Sequence, residues 1–398
     1  MTTTIATAQE YLERVREIEP VLREHDADNE RERRLVGPVV DALREAGMYR
    51  MTVPRHYGGA ELHPIDARRV VEALAEIDAS VAWNVTIAGG SFAVGILGDE
   101  IADEIFATGP DTVTAAAVAV PVSITSDGDG FVVDGEVRFV SGAHQAEWFF
   151  TVAVLVRDGQ PVMDATGAMP LIHGACIHRS QVEILDTWHV SAMRGTGSTN
   201  VKIASANVPA RQVVQITELR PRGTHFTAPA YQLAGWPVIH MEAATSIGIA
   251  RAAIRDLKGL AMTKVGAGFE FNTIAHRDRT QHNLAKATAL VDAASAYLDA
   301  SMTRALAHVE SSGGTSDGPT RADLMLAGWN AADASMRAVD LVCDAAGTTS
   351  AMLDHRFERY HRDVHFLAKH ASKSTERVTN VGRLLLGIQP AGHPLLDL

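Results

Sequence analysis

A chain of 398 residues, 46% hydrophobic and 21% charged, can bury a large core and divide into two or three domains. Its formal charge of −12 argues against a nucleic-acid or anionic-membrane partner, both of which call for basic surface. Two cysteines without CxxC spacing, Cys176 and Cys343, suggest neither a disulfide framework nor a thiolate zinc site and point to a reducing, cytoplasmic compartment; no signal peptide opens the chain, and no apolar run reads as long enough to span a bilayer.

The first block, residues 1–110, reads as helical. Leu35, Val39, Leu43 and Ala46 recur at helical spacing, with Gly47 placed for a left-handed C-cap. VPRHYGG, Val53 to Gly59, is a turn-rich break, and a second helical pattern runs from Pro64 through VVEALAEI. In residues 111–220 the pattern changes. TVTAAAVAV, GFVVDGEVRFVSG, WFFTVAVLV and NVKIASANVP are β-branched, alternating segments between Gly, Asp and Pro, which predicts a small sandwich or barrel. Residues 221–398 are helical again: two long Ala- and Leu-rich stretches follow Trp236, and RADLMLAGWNAADASMRAVDLVCDAAG predicts a further helix ending at Gly347. Long helices of this kind pack as an antiparallel bundle. The fold class is therefore α+β, mostly α.

Helices, strands and then a bundle, together with VPRHYGG, GFVVDGEVRFVSGAHQAEWFF, DTWHVSAMRGTGSTNVKIASANVPA, CDAAGTTSAM and RYHRDVHFLAKHA in that order, resemble the acyl-CoA dehydrogenase superfamily from about residue 10 to 385. The resemblance implies an N-terminal helical domain, a middle β-domain and a C-terminal four-helix bundle. DTW…MRGTGS and RDVHFLAKH are most similar to the two-component monooxygenases of that superfamily. This implies reduced flavin (FMNH2 or FADH2) supplied by a separate NAD(P)H-dependent reductase, O2 as co-substrate, activation through a C4a-hydroperoxyflavin, and a homotetramer.

Dehydrogenation of an acyl-CoA needs a carboxylate base. The resemblance places the commonest position for it near Ala371, and a rarer one near Val238, one turn before Glu242. The expectation is a chain without that base.

Ser141 ends VRFVS where the resemblance implies the flavin ring, near N5; the plain alternative is a serine capping its own turn with Gly142. His370 is the candidate proton handler, since imidazole titrates near neutral pH, although it is one of 17 histidines and a helix-surface position is the competing reading. Trp83, Ser91 and His365 are candidate pocket residues; for Trp83 the alternative is core packing. MRGTGS, with Thr196, Gly197 and Ser198, could form a nest of N–H groups for a phosphate or the flavin's polar edge. The resemblance implies that Arg279 and Gln281, opening a bundle helix after Arg277, together with Gly347, reach a neighbouring subunit's flavin. His361 and His365 are spaced i, i+4, but Arg362 stands where a zinc protease has its Glu, so no metal is expected.

The expected function is hydroxylation of a small aromatic or phenolic substrate. The rivals are an amine N- or sulfur-oxygenating relative, an acyl-CoA dehydrogenase or oxidase using Glu242, and an inactive binding paralogue.

Overall fold

The computed structural model describes residues 7–88, 91–165, 167, 169–217, 220–266, 272–314 and 316–390. Among the described residues helices come first: α1 (Ala8–Glu24), α2 (Asp26–Glu32), α3 (Gly37–Glu45), α4 (Pro64–Ile77), α5 (Ala79–Ala88), α6 (Ser91–Leu97) and α7 (Asp99–Ile105). Thr7 starts α1 with a complete capping box: its hydroxyl accepts from the Glu10 N–H, and the Glu10 carboxylate accepts from the Thr7 N–H. Gly47 follows α3 at φ +71°, the left-handed position expected from the sequence.

Among the described residues eight strands follow: β1 (Thr114–Asp127), β2 (Gly130–Val140), β3 (Trp148–Arg157), β4 (Gln160–Pro161), β5 (Ile172–His178), β6 (Val182–Ile184), β7 (Thr199–Pro209) and β8 (Val213–Gln215). The four segments read as strands became β1, β2, β3 and β7. The others are short, or in β5 interrupted by Gly174, so they carry little alternation. The strands lie along one hydrogen-bonded path, β6-β7-β2-β1-β3-β5-β8, with β4 beside β3. All pairs are antiparallel except β1 with β3. Two irregularities interrupt the β2–β7 register, the second between Val137 and Val140, just before Ser141.

The chain then returns to helix: α8 (Pro229–Gln232), α9 (Trp236–Thr263), α10 (Asp278–Ser312), α11 (Gly318–Ala346), α12 (Arg356–Leu367) and α13 (Thr375–Leu385). Small residues let the long helices approach closely. Gly248 of α9 lies so near α4 that a Cβ there would come 2.4 Å from the Glu72 carbonyl oxygen. The bundle core is Ala-rich, yet it also takes in Trp83 from α5 and Met193 from the turn before β7. The three layers therefore meet at one place.

Two sequence expectations are corrected. By length and composition Ala79–Leu97 is apolar enough to cross a membrane; within it Val81, Ala82, Val85 and Val94 of α5 and α6 lie in the core. His370 is not helical: α12 stops at Leu367, and His370 is extended (φ −61°, ψ 144°), its ring Nδ1 3.4 Å from the Ser372 backbone nitrogen in the next turn.

Candidate active site at the junction of the three layers

Trp83 is buried on α5, and its indole Nε1–H donates to Ser141 Oγ at 2.9 Å. Ser141 follows β2. Its neighbour Gly142 takes φ +73°, where an added Cβ would stand 3.0 Å from Asn84 Oδ1, so the turn depends on glycine. The Ser141 hydroxyl does not cap its own turn. It lies 2.7 Å from Ser198 Oγ, which is 2.7 Å from Thr196 Oγ1, and Thr196 donates to the Met193 carbonyl at 2.8 Å.

MRGTGS is held from both sides. Met193, left-handed at φ 51°, donates its N–H to Asp363 Oδ1 of α12 at 2.7 Å. Asp363, 2% exposed, also faces Arg359 and Arg362, so the Arg362–Asp363 pair ties this turn to the bundle. The N–H groups of Thr196, Gly197 and Thr199 bond to Met193, Arg194 and Gly197 carbonyls. The expected nest is thus largely spent within the turn, which presents hydroxyls instead. Gly197 sits at φ +55° against His144; burial, with Arg34 and Arg179 nearby, pushes the His144 imidazole down to about 4.

The bundle contributes the opposite wall. The His370 ring meets Trp83 edge-on, with centroids 5.0 Å apart. His370 Nδ1 lies 2.8 Å from Ser372 Oγ, which donates to Glu242 Oε2 at 2.7 Å. Lys373 Nζ reaches the same carboxylate oxygen at 3.2 Å and Ser372 Oγ at 3.0 Å. Burial by itself would raise the Glu242 carboxyl; His370, Lys373 and the Ser372 hydroxyl together outweigh it and hold the group below the usual carboxylate range. Burial disfavours the His370 imidazolium and pushes that group below its ordinary value, although 40% of the side chain is still open to solvent.

The tautomer follows from where the Ser372 proton goes. Where Ser372 gives its one proton to Glu242, the 2.8 Å contact needs the proton on His370 Nδ1. A weaker 3.4 Å approach of the Ser372 N–H to the same nitrogen competes with it. With Nδ1 protonated, the neutral ring carries its lone pair on Nε2.

The structure thus gathers Trp83, Ser141, Thr196, Ser198 and His370, with Gly197 in the same turn. It does not bring in His365, whose Nε2 contacts Asp340 of α11 at 2.8 Å beside His361 on the outer face. The side chain of Ser91, at the start of α6, lies outside the described residues. Arg279, Gln281 and Gly347 gather elsewhere: Arg279 faces Asp344 at 3.6 Å, Gln281 bonds the Ala275 carbonyl, and Gly347 ends α11, where Lys264 binds the Ala346 carbonyl. Ser372 and Lys373 were missed by sequence reasoning; a lysine in KHASKS gives no sign that it will be enclosed. A separate concavity of about 630 Å³ between α1, α3 and the Gly58–Ala60 turn shares no lining residue with this cluster.

Family models for the acyl-CoA dehydrogenase N-terminal domain and C-terminal domain match residues 4–103 and 240–375. The chain is 25% identical to a pigment production hydroxylase of Rhodococcus sp., covering 98% of this chain and 99% of that protein. It is 26% identical to the oxygenase component of p-hydroxyphenylacetate 3-hydroxylase of Acinetobacter baumannii, covering 95% and 89%. In three dimensions it is similar to XiaF from Streptomyces sp., solved with FADH2 and glycerol, with TM-score 0.88, 23% identity and 97% of each chain covered.

Proposed function

The chain belongs to the acyl-CoA dehydrogenase family, in its branch of flavin-dependent monooxygenases that use reduced flavin and O2, and from that premise we propose that it hydroxylates a small phenolic substrate between Trp83, Ser141 and His370. The observation that carries this reading is a His370 ring held through Nδ1 beside a Trp–Ser hydroxyl ladder and a carboxylate already engaged by Lys373. An aromatic wall and a row of hydroxyls suit the apolar faces and polar edge of an isoalloxazine. Bound there, reduced flavin supplies the reaction with O2, which is the cofactor's own chemistry.

The protein's part is to position and to move one proton. His370 Nε2 accepts the phenol proton, raising electron density on the ring to be hydroxylated. Ser372 and Glu242 hold the imidazole on its Nδ1 side, which leaves Nε2 to the substrate. Trp83, 5% exposed, helps exclude water. Thr196, Gly197 and Ser198 shape the ledge beneath Ser141. Glu242 is poorly suited to dehydrogenation, because a carboxylate held below its ordinary range is a weak base toward a carbon acid.

A separate reductase delivers the reduced flavin, a reading supported by the relative named as an oxygenase component. The working form is a homotetramer in the cytoplasm. Supporting it are Leu353, Leu385 and Leu386, exposed at 90%, 75% and 77%, and two cysteines that are both free. Arg279, Gln281 and Gly347, on other elements of the same chain, then complete a neighbour's flavin site.

The test supplies the full-length protein with reduced FMN or FAD, isotopically labelled O2 and a panel of phenols, indoles, amines and thioethers. Label entering the ring of a phenol supports the reading. Label at nitrogen or sulfur alone moves the chain to the other oxygenation class, and no label in any product overturns the proposal.

A further inference from the structure

The hydroxyl row beneath Trp83 has a direction. Trp83 Nε1–H can only donate, and it points at Ser141 Oγ. At the other end, the Met193 carbonyl can only accept, and Thr196 Oγ1 lies 2.8 Å from it. Between them stand Ser141 and Ser198, and Ser198 and Thr196, each pair at 2.7 Å. Four contacts are served by four protons: one from the indole and one from each hydroxyl. Reversing any link leaves two oxygens facing each other at hydrogen-bond distance without a proton between them. The single arrangement that fills every contact runs Trp83 to Ser141 to Ser198 to Thr196 to the Met193 carbonyl. The row is enclosed, with Ser141 and Ser198 each 6% exposed and Thr196 2%, which limits the water that could supply other partners.

We propose that this polarised row makes Ser141 an obligate acceptor toward its ligand, so that it selects reduced flavin, which carries a proton on N5, over oxidised flavin, whose N5 is bare. The inference rests on the reading above that the flavin edge packs on Ser141. Ser141 has received the indole N–H and given its own proton to Ser198; one lone pair remains. It can take an N–H from a ligand and has nothing to donate. An oxidised ring would set a lone pair against that lone pair. Thr196 and Ser198 are thus positioning residues: they act on the cofactor's redox state through Ser141 and are not required to touch it.

The test measures dissociation constants of the full-length protein for reduced and oxidised FMN, and for reduced and oxidised FAD, under anaerobic conditions. The wild type binds the reduced forms more tightly. Thr196→Val removes the acceptor of the Ser198 proton, so Ser198 can turn that proton to Ser141, and Ser141 can donate to a bare N5. The ratio of the two constants then falls about tenfold, the scale of one net hydrogen bond, chiefly because oxidised flavin binds better. Thr196→Ser restores the wild-type ratio. Ser198→Ala breaks the row one step earlier and shifts the ratio the same way, which decides the matter if Thr196→Val does not fold. A wild-type ratio in both Thr196→Val and Ser198→Ala overturns the inference while leaving the flavin's placement intact. Ser141→Ala is the separate control: if it leaves all four constants unchanged, flavin does not pack on Ser141, and both the placement and this inference fall.

Discussion

Lys373 Nζ meets Glu242 Oε2 at 3.2 Å with only 1% and 6% of the two side chains exposed, so the carboxylate beside His370 is already claimed by a cation. A buried pair is worth little against an apolar replacement, but breaking it is costly because one charge is left without a partner. Glu242→Leu should therefore destabilise the protein by about 3–5 kcal/mol. Glu242→Leu combined with Lys373→Met should recover most of that loss. Denaturant midpoints at neutral pH, read with unchanged m-values, check both. Equal losses in the single and double variants would show that the pair is not energetically joined.

The same cluster sets a pH dependence. His370 faces Glu242, Lys373, Arg377 and the ring of Trp83, and burial holds its folded pKa below about 6.5, the ordinary value. The neutral base is thus dominant at pH 7, and the acid limb of kcat/KM should lie below about 6.5. Glu242 favours the imidazolium, so Glu242→Gln should move that limb further down, and His370→Gln should cost about 10²–10⁴ in rate. For stability the sign is the same for both groups. The unfolded chain binds the His370 proton first, so stability is lost as pH falls from about 6.5 toward the folded value. Glu242, also depressed, contributes stability that is lost as pH falls from its unfolded value through its lower folded one. A limb that stays fixed in Glu242→Gln would separate the carboxylate from the imidazole.

Asp363→Asn should loosen the turn that carries Thr196 and Ser198. It removes the charged acceptor of the Met193 N–H and leaves Arg359 and Arg362 short of a counter-charge. The expected cost is about 3 kcal/mol, with weaker binding of both flavin redox states and no change in their ratio. That pattern distinguishes a loosened turn from a changed proton direction, and flavin titration reads it.

Gly248 and Gly259 lie on the same helix, α9, and should respond oppositely to alanine. A Cβ on Gly248 meets the Glu72 carbonyl oxygen at 2.4 Å and Ala75 Cβ at 2.5 Å, so α4 and α9 must separate. Overpacking there should cost about 3 kcal/mol or more. Nothing lies within 4 Å of a Cβ on Gly259, so Gly259→Ala should stabilise by about 0.5–1 kcal/mol through helix propensity alone. Thermal melts of the two variants provide the comparison.

The sequence by itself determined the order of layers, the long strands and helices, and the left-handed turn at Gly47, because periodicity and turn chemistry act over a few neighbouring residues. It also singled out Trp83, Ser141 and His370. Short strands such as β6 and β8 carried too few residues to show alternation, and His370 was read in a helical context because local propensity does not show where α12 stops. Only the tertiary structure decided that Glu242 is matched by Lys373, that Asp363 anchors Met193, and that His365 turns to Asp340 on the outer face. These pairings join residues distant in the chain, 131 and 170 positions apart for the first two. Whether a carboxylate serves as base, anchor or counter-ion depends on which cation and which hydroxyl the fold sets beside it.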